Sequence, residues 1–157
     1  MGEENAMNNS ISIETNNHPD LAERAKKALE QVCSGQALDQ ASQYYSEKFI
    51  DHVNNLHFEG REGVRKSVGL YTKVLSDLEF RVEEQLTDGD RVTSRFVVSG
   101  KCFGKQVRFN GITISRFSND RIVEDWSVTD TSSMLRQLGA WRSLFLALRY
   151  GKTPRGE

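Results

Sequence analysis

Cysteine and proline are scarce in this chain of 157 residues, which contains only two of each. Cys33 and Cys102 are far apart and form no CxxC or Cys/His spacing, so we expect reduced thiols rather than a disulfide framework. Long apolar runs are missing too. Residues 1–17 lack the apolar segment of a secretion signal, and no stretch approaches the ~18 apolar residues of a membrane-spanning helix. We therefore expect a cytoplasmic protein with no membrane partner.

An excess of charge of one sign is also absent, since the formal net charge is -1 at pH 7. Without a basic field the chain has no general attraction for phosphate backbones, so we expect no nucleic-acid partner. The sequence contains no Walker, GxGxxG or GxSxG motif, and we expect no cofactor. Hydrophobic residues at 37% and charged residues at 27% are typical of a globular domain.

Hydrophobic periodicity divides the chain into a helical front and a β-rich back. Apolar residues recur at helical spacing between Pro19 and Gly35, from Ala37 to Tyr45 and from Arg61 to Leu75. Four later segments rich in Val, Ile, Thr and Phe predict strands joined by short connectors: 78–87, 91–101, 107–117 and 122–129. This order predicts an α+β fold in which helices cover one face of a curved antiparallel sheet.

We predict three parts in the chain. Residues 1–18 form a mobile polar leader, residues 19–139 a single domain, and residues 140–157 an amphipathic C-terminal helix and tail. Apolar residues recur at helical spacing in this last part, with arginines between them: Trp141, Leu144, Phe145 and Leu148. Such a helix can lie on a membrane surface, but more often it docks on its own domain or on a second subunit, which we favour here.

Two adjacent acids, Glu124 and Asp125, precede Trp126 on the last predicted strand. A buried acid is unfavourable unless it is paired or hydrogen-bonded, so its presence points to function. Side chains alternate along a strand, and only one of the two acids can face the interior. If Asp125 faces inward, it is the candidate base and Glu124 is a surface charge. The alternative is a structural ion pair between Asp125 and Arg95 or Arg116.

Four motifs resemble those of the SnoaL-like polyketide cyclases and ester-cyclase-like proteins of the nuclear transport factor 2-like superfamily: YYSEKFIDH (44–52), EGREGVR (59–65), LTDGDRV (86–92) and RIVEDWSVTDTSSMLRQLG (121–139). The resemblance implies a cone-shaped α+β barrel wrapped by N-terminal helices around a deep hydrophobic pocket, and a homodimer formed through the sheet. It also implies that Asp125 is a general base in cofactor-free aldol cyclisation. One departure is Ser67, where such a cyclase carries a polar amide.

His52 is a second candidate catalytic residue, as an acid or a base, or else a histidine that caps the barrel mouth by hydrogen bonds. His52 and His57 lack a third convincing ligand, so we expect no metal site. A small hydrophobic or aromatic ligand is expected to contact a further set of aromatic and polar side chains, although aromatic residues are more often core: Trp126, Tyr45, Tyr71, Phe96, Phe109, Asn110 and Ser127.

Three functions fit these patterns. The first is a cofactor-independent cyclase, isomerase or lyase in which Asp125 accepts a proton and His52 or a tyrosine donates one. The second is a non-catalytic carrier of a hydrophobic ligand, with an almost wholly apolar pocket and with Asp125 salt-bridged or turned away. The third is an interaction protein that uses its sheet and its C-terminal helix as a dimer surface. We favour the first on the family resemblance.

Overall fold

The computed structural model describes residues 19–150. The predicted leader and residues 151–157 of the predicted tail lie outside the described residues. The helices are α1 (Pro19–Lys27), α2 (Ala41–Tyr44), α3 (Gly60–Thr72), α4 (Thr131–Leu138) and α5 (Ala140–Tyr150). The strands are β1 (Tyr45–Val53), β2 (Leu56–Glu59), β3 (Ser76–Asp88), β4 (Arg91–Cys102), β5 (Lys105–Ser118) and β6 (Arg121–Thr129). No helix in this range is long and apolar enough to cross a membrane.

The six strands form one sheet in the order β2-β1-β6-β5-β4-β3. Neighbouring strands are antiparallel except β1 and β6, which run parallel. Parallel neighbours need a long crossover, and here α3 and the β3–β5 meander supply it. The predicted α+β fold is confirmed. Two details differ: one strand pair is parallel, and the sheet stays open instead of closing into a barrel.

The sheet has one covered face and one open face. Strand β5 alternates almost perfectly, with Val107, Phe109, Gly111 and Thr113 buried and the residues between them exposed. Helix α3 packs on the covered face through Val64 and Val68, which are buried. The alternation therefore decides which residues of each strand can reach an interior site.

Helix α1 continues directly into a π-helical segment, Ala28–Cys33. A π-helical turn widens the helix, and such turns often occur at functional sites. This one ends just before Gly35, whose φ of 77° lies in the left-handed region that glycine adopts without strain. The segment brings Leu29 and Cys33 to the covered face of the sheet, where both line a cavity.

The β5–β6 hairpin turns at Asn119 and Asp120, whose φ angles of 49° and 58° are those of a two-residue turn with both residues left-handed. The hairpin pairs Ser118 with Arg121, and an irregularity between Arg116 and Phe117 then shifts the register by one residue. Ser115 on β5 lies opposite Asp125 on β6 as a result of this shift. The short connector predicted between these two strands is confirmed.

Candidate functional site

A cavity of about 40 Å³ lies between α3, the π-helical segment and the covered face of the sheet. We call it the chamber; its lining is Leu29, Cys33, Tyr45, Phe49, Asp51, Val53, Val64, Ser67, Val68, Tyr71, Phe80, Phe96, Thr113, Asp125 and Ser127. A space of this size holds a few water molecules, whereas sites for small organic molecules usually measure ~300–1,000 Å³. The chamber is therefore too small, as it stands, for a polyketide-sized substrate.

Two carboxyl groups face the chamber from neighbouring strands. Asp51 on β1 and Asp125 on β6 are direct partners in the parallel register, and the strands lie about 4.8 Å apart. Asp51 is 6% exposed and Asp125 is 8% exposed. Asp125 was the conditional candidate for this position, whereas Asp51 was not predicted as a site residue. The available signal was that Asp51 follows the apolar Phe49 by two residues, which places both side chains on the same face of the strand.

The surroundings raise the pKa of both carboxyl groups. Burial raises the pKa of Asp51 to about 6, and hydrogen bonding by Ser67 and the charges of two histidines only partly oppose the shift. Burial also raises the pKa of Asp125 well above its ordinary value, the negative charge of Asp51 adds to the rise, and the Ser115 hydroxyl opposes it. Of the two acids, Asp125 has the surroundings that disfavour the charged form more strongly, because burial and the charge of Asp51 both raise its pKa.

Two buried polar atoms at the chamber have no hydrogen-bond partner among the described residues: Asp125 Oδ1 and Thr113 Oγ1. Buried polar atoms are nearly always hydrogen-bonded in native proteins, and exceptions often mark functional sites. The ion pairs considered for Asp125 do not form, because Arg95 binds Glu83 and Arg116 binds Glu124. The acid is thus neither neutralised by an arginine nor turned away from the cavity.

Neutral hydrogen-bond donors complete the chamber. The Tyr45 hydroxyl lies 3.6 Å from Cys33 Sγ, and the Tyr71 hydroxyl lies 3.3 Å from Thr129 Oγ1. Burial raises the pKa of Cys33 to about 12, so this cysteine stays a thiol at neutral pH and does not act as a thiolate nucleophile. Burial likewise raises the pKa of Tyr71 to about 12 and that of Tyr45 well above its usual value. Both tyrosines keep their protons for donation.

The structure corrects the predicted placement of His52 and Trp126, which lie on the open face of the sheet and do not line the chamber. They are register partners and alternate with Asp51 and Asp125, so both point to the opposite side. Their rings stack at 5.6 Å between centroids, and His52 Nε2 lies 3.0 Å from Glu124 Oε1. Trp126 remains 36% exposed. Neither residue can contact a ligand in the chamber.

The other predicted contact residues divide into three groups. Tyr45, Tyr71, Phe96 and Ser127 line the chamber. Phe109 is buried in the hydrophobic core and does not line it, which matches the core alternative weighed for the aromatic residues. Asn110 follows Phe109 on β5 and is exposed on the open face, so its predicted ligand contact is wrong.

Sequence reasoning missed four chamber residues of chemical interest: Asp51, Cys33, Ser67 and Thr113. Thr113 was detectable, because strand alternation places it on the same side as the buried Phe109. The place of Cys33 depends on the π-helical turn, which no periodicity in the sequence marks. Among residues 19–150, no three His, Cys, Asp or Glu side chains form a group able to hold a metal ion.

The family model described as SnoaL-like polyketide cyclase matches residues 23–138 of the chain. This range contains α3, all six strands and α4, and so the whole chamber. No curated protein matches the chain at a significant level.

Three solved structures illustrate the likeness. A candidate polyketide cyclase from Bacillus cereus ATCC 10987 is 26% identical, with 76% of this chain and 78% of that chain covered and a TM-score of 0.64. IdmH, a candidate polyketide cyclase from Streptomyces antibioticus, is 23% identical, with coverages of 76% and 99% and a TM-score of 0.65. An LEH-like epoxide hydrolase from M. tuberculosis is 13% identical, with coverages of 83% and 96% and a TM-score of 0.64. The last two likenesses concern the fold alone.

Proposed function

The chain belongs to the SnoaL-like polyketide cyclase family, and on that premise we propose that it is a cofactor-free enzyme that removes a proton from a carbon beside a carbonyl group. The observation that carries this proposal is the pair of buried acids, Asp51 and Asp125, side by side at one chamber. Burying two carboxyl groups is costly, and packing alone gives no reason to retain both. Acid–base catalysis gives one, because it needs a donor and an acceptor at the same place.

The pair holds one proton at neutral pH, since two neighbouring carboxyl groups do not readily ionise together. Asp51, with a pKa of about 6, carries the charge, and Asp125 keeps the proton. In the proposed reaction Asp51 takes the proton from the substrate carbon while Asp125 donates its proton to the carbonyl oxygen, which yields a neutral enol. The family resemblance assigns the acceptor role to Asp125; the pKa order assigns it to Asp51 at neutral pH.

Ring closure then reverses both transfers. The enol carbon attacks a second carbonyl group of the same substrate, and Asp51 returns its proton to the new alkoxide oxygen. Asp125 recovers a proton from the enol oxygen as the first carbonyl group reforms. Every proton is accounted for and nothing is oxidised, so the cycle consumes no cofactor. Isomerisation would use the first step and return the proton to a different carbon.

Tyrosine hydroxyls and aromatic rings would hold the substrate in this scheme. Tyr45 and Tyr71 keep their protons and can donate hydrogen bonds to an oxygen that gains negative charge. Phe96 and the apolar side chains around it favour a hydrophobic or aromatic substrate. Such a substrate is larger than the chamber of about 40 Å³, so we propose that α3 moves outward when it binds.

A non-catalytic carrier of a hydrophobic ligand is the second candidate, and the mostly apolar lining favours it. The acid pair counts against it, because a carrier gains nothing from buried charge.

We also retain two predictions from the sequence. One is a homodimer formed through the open face, where Ile112, Ile114 and Val128 are exposed. The other is a cytoplasmic location, consistent with the free Cys33 and Cys102.

The test is deuterium exchange at the activated carbon of β-keto esters of increasing size, from methyl acetoacetate to a naphthyl analogue, followed by NMR. General acid–base catalysis contributes roughly 10²–10⁴ to a rate, so Asp51→Asn and Asp125→Asn should each slow exchange by about a hundredfold or more. Glu124→Gln is the matched control, because it changes the adjacent acid on the open face, and it should alter the rate by less than about twofold.

The pH profile adds a second criterion. The rate should rise as Asp51 ionises near pH 6 and fall at higher pH as Asp125 loses its proton. A folded Asp51→Asn or Asp125→Asn protein that exchanges at the full rate would remove that residue from the mechanism. Tight binding of the esters by the wild-type protein without any exchange would favour the carrier.

A further inference from the structure

The C-terminal helix α5 turns most of its apolar side chains away from the domain. Leu146 is buried against the hydrophobic core. Trp141 is 86% exposed and Leu148 is 72% exposed, and Leu144 and Phe145 are also exposed. Helix α5 therefore contacts its own domain through Leu146 and through the ring of Phe145, which packs against Phe103. The four exposed residues recur at positions i, i+3, i+4 and i+7, so they form one continuous stripe.

The β4–β5 turn extends this stripe beyond the helix. Phe103 sits in the turn with a φ of 51°, an uncommon angle for a bulky residue, and its side chain is exposed. Its ring packs edge-on against Phe145, with 5.4 Å between the ring centroids. Together with Trp141 and Arg142 these rings border an open groove of about 340 Å³. We call this surface the apolar patch; it consists of Phe103, Trp141, Leu144, Phe145 and Leu148.

The sequence of α4 and α5 carries basic charge only. Residues 131–150 contain Arg136, Arg142 and Arg149 and no Asp or Glu, and the Asp130 carboxylate just before α4 is paired with Arg136. The rest of the chain must be net acidic, because the formal total is -1. The positive charge is thus concentrated at the end of the sequence that carries the exposed helix.

This charge pattern discriminates between occupants of the patch. A two-fold contact with a second copy would bring Arg142 of each chain toward the same basic surface of the other, and like charges repel. An anionic bilayer attracts these arginines and accepts the apolar side chains below its headgroups. Trp and Phe side chains are also the ones that favour the membrane interface. Of these two occupants, the bilayer matches both the apolar stripe and the charge.

We propose that α5 and Phe103 form a peripheral membrane anchor that lies on the surface of bilayers containing anionic glycerophospholipids. The helix lies in the plane of the interface with the apolar patch directed toward the acyl chains. Arg142 and Arg149, seven residues apart on one flank of the stripe, face the phosphate groups. The anchor rests on the bilayer and does not span it, and it is separate from the chamber and its acid pair.

The chain's two tryptophans allow a direct test, because one lies on α5 and the other on the open face of the sheet. In the full-length Trp126→Phe protein, Trp141 is the sole tryptophan. In the full-length Trp141→Phe protein, Trp126 is the sole tryptophan. Each protein is titrated with vesicles of phosphatidylcholine and phosphatidylglycerol (60:40) and with vesicles of phosphatidylcholine alone. The emission of Trp141 should shift to the blue on the anionic vesicles and be quenched by brominated acyl chains, whereas that of Trp126 should not change.

The electrostatic part of the proposal has its own variant. Each arginine near an anionic surface adds about 1 kcal/mol, so Arg142→Gln should weaken vesicle binding about fivefold. Raising the salt concentration should also weaken vesicle binding, because salt screens the attraction between the arginines and the anionic headgroups. Arg121→Gln is the matched control, because it makes the same substitution at the exposed start of β6, and it should bind like the parent protein.

Four results would overturn the proposal, three from the vesicle titrations and one from a deletion. One is an absence of any Trp141 shift on anionic vesicles, and another is equal binding to neutral vesicles. The third is a blue shift without lipid that grows with protein concentration, which would assign the apolar patch to a second copy of the chain. Deleting residues 2–18 checks the acidic leader in the same way: if the deletion makes Trp141 more accessible to acrylamide, the leader covers the patch and the anchor is excluded.

Discussion

The two faces of strand β6 treat neighbouring acids in opposite ways. Asp125 faces the chamber, where burial and the charge of Asp51 raise its pKa. Glu124 faces the open side, where hydrogen bonds from Arg116 and His52 lower its pKa. One step along the strand therefore separates an acid whose pKa is raised from an acid whose pKa is lowered. The chemistry of each acid follows from its face of the sheet rather than from its residue type.

The same division applies to β1, where Asp51 faces the chamber and its neighbour His52 faces outward. Because β1 and β6 run parallel and in register, the inward side pairs acid with acid and the outward side pairs His52 with Trp126. At the chamber, Asp51 and Asp125 would repel each other if both were ionised, and this repulsion is relieved when the pair shares one proton. The open face gains a stacked pair that stabilises the surface without any need for a ligand.

The largest expected difference between the faces is in the pH dependence of stability. The folded pKa of Asp51 is about 6 and the ordinary value is 3.8, so the folded state binds more protons between these values. Stability is then greatest at low pH and falls as pH rises through this window, by about 3 kcal/mol for two units. Asp51→Asn should remove this part of the pH dependence, and the part that comes from the raised pKa of Asp125 should remain. The measurement is urea unfolding of both proteins from pH 4 to pH 7.

Glu124→Gln is the control from the open face and should act with the opposite sign. Because the pKa of Glu124 is lowered, its charged form stabilises the fold at pH values above its ordinary pKa. This stabilisation is lost as the pH falls through the lowered pKa. Since Arg116 and His52 are partly exposed, the loss at pH 7 should be less than about 1 kcal/mol. If the difference between wild type and Asp51→Asn does not vary with pH, the raised pKa is wrong.

A smaller effect on stability is expected from substitutions at Gly111 and Ile112. These residues are adjacent on β5 and face opposite sides of the sheet. A Cβ on Gly111 would lie 2.5 Å from the ring of Phe96, a chamber residue, and 2.9 Å from Thr129. Gly111→Ala should therefore push Phe96 toward the chamber and destabilise the fold by about 2 kcal/mol. Ile112→Ala, on the open face, should change stability by about 0.5 kcal/mol or less.

Thermal or urea unfolding checks this prediction, and a double variant makes it specific. Phe96→Leu removes the ring that the new methyl group would meet, so Gly111→Ala should cost less stability in that background. Equal costs in the two backgrounds would show that the ring is not the obstacle.

Much of the fold could be predicted because its signals are local. The change from helical to alternating periodicity predicted the helices and four of the strands, and the structure confirms both. Asp130 directly precedes Thr131-Ser132-Ser133, which is a typical sequence for a helix cap, and its side chain accepts a hydrogen bond from the Ser133 amide. The turn at 119–120 was equally readable. Strand β2 was missed, because its four residues lie in a segment that reads as a loop.

The composition of the chamber was harder to predict because it depends on contacts between distant parts of the chain. Alternation made Asp125 an inward candidate, but nothing local indicates that β1 lies beside β6 or that Asp51 is its register partner. The outward placement of His52 and Trp126, by contrast, follows from a local signal. Their residue types suggested catalysis and ligand binding, whereas the alternation of β1 and β6 directs them outward.

The most direct test of the account is a carbon-detected NMR titration of the side-chain carboxyl groups of Asp51, Asp125 and Glu124 in the ligand-free protein. The account predicts that Asp125 still carries its proton at pH 7, that Asp51 titrates near pH 6, and that Glu124 titrates below its ordinary value of 4.5. If Asp51 and Asp125 both titrate near 3.8, they do not share a proton. The proposed donor–acceptor pair would then be contradicted.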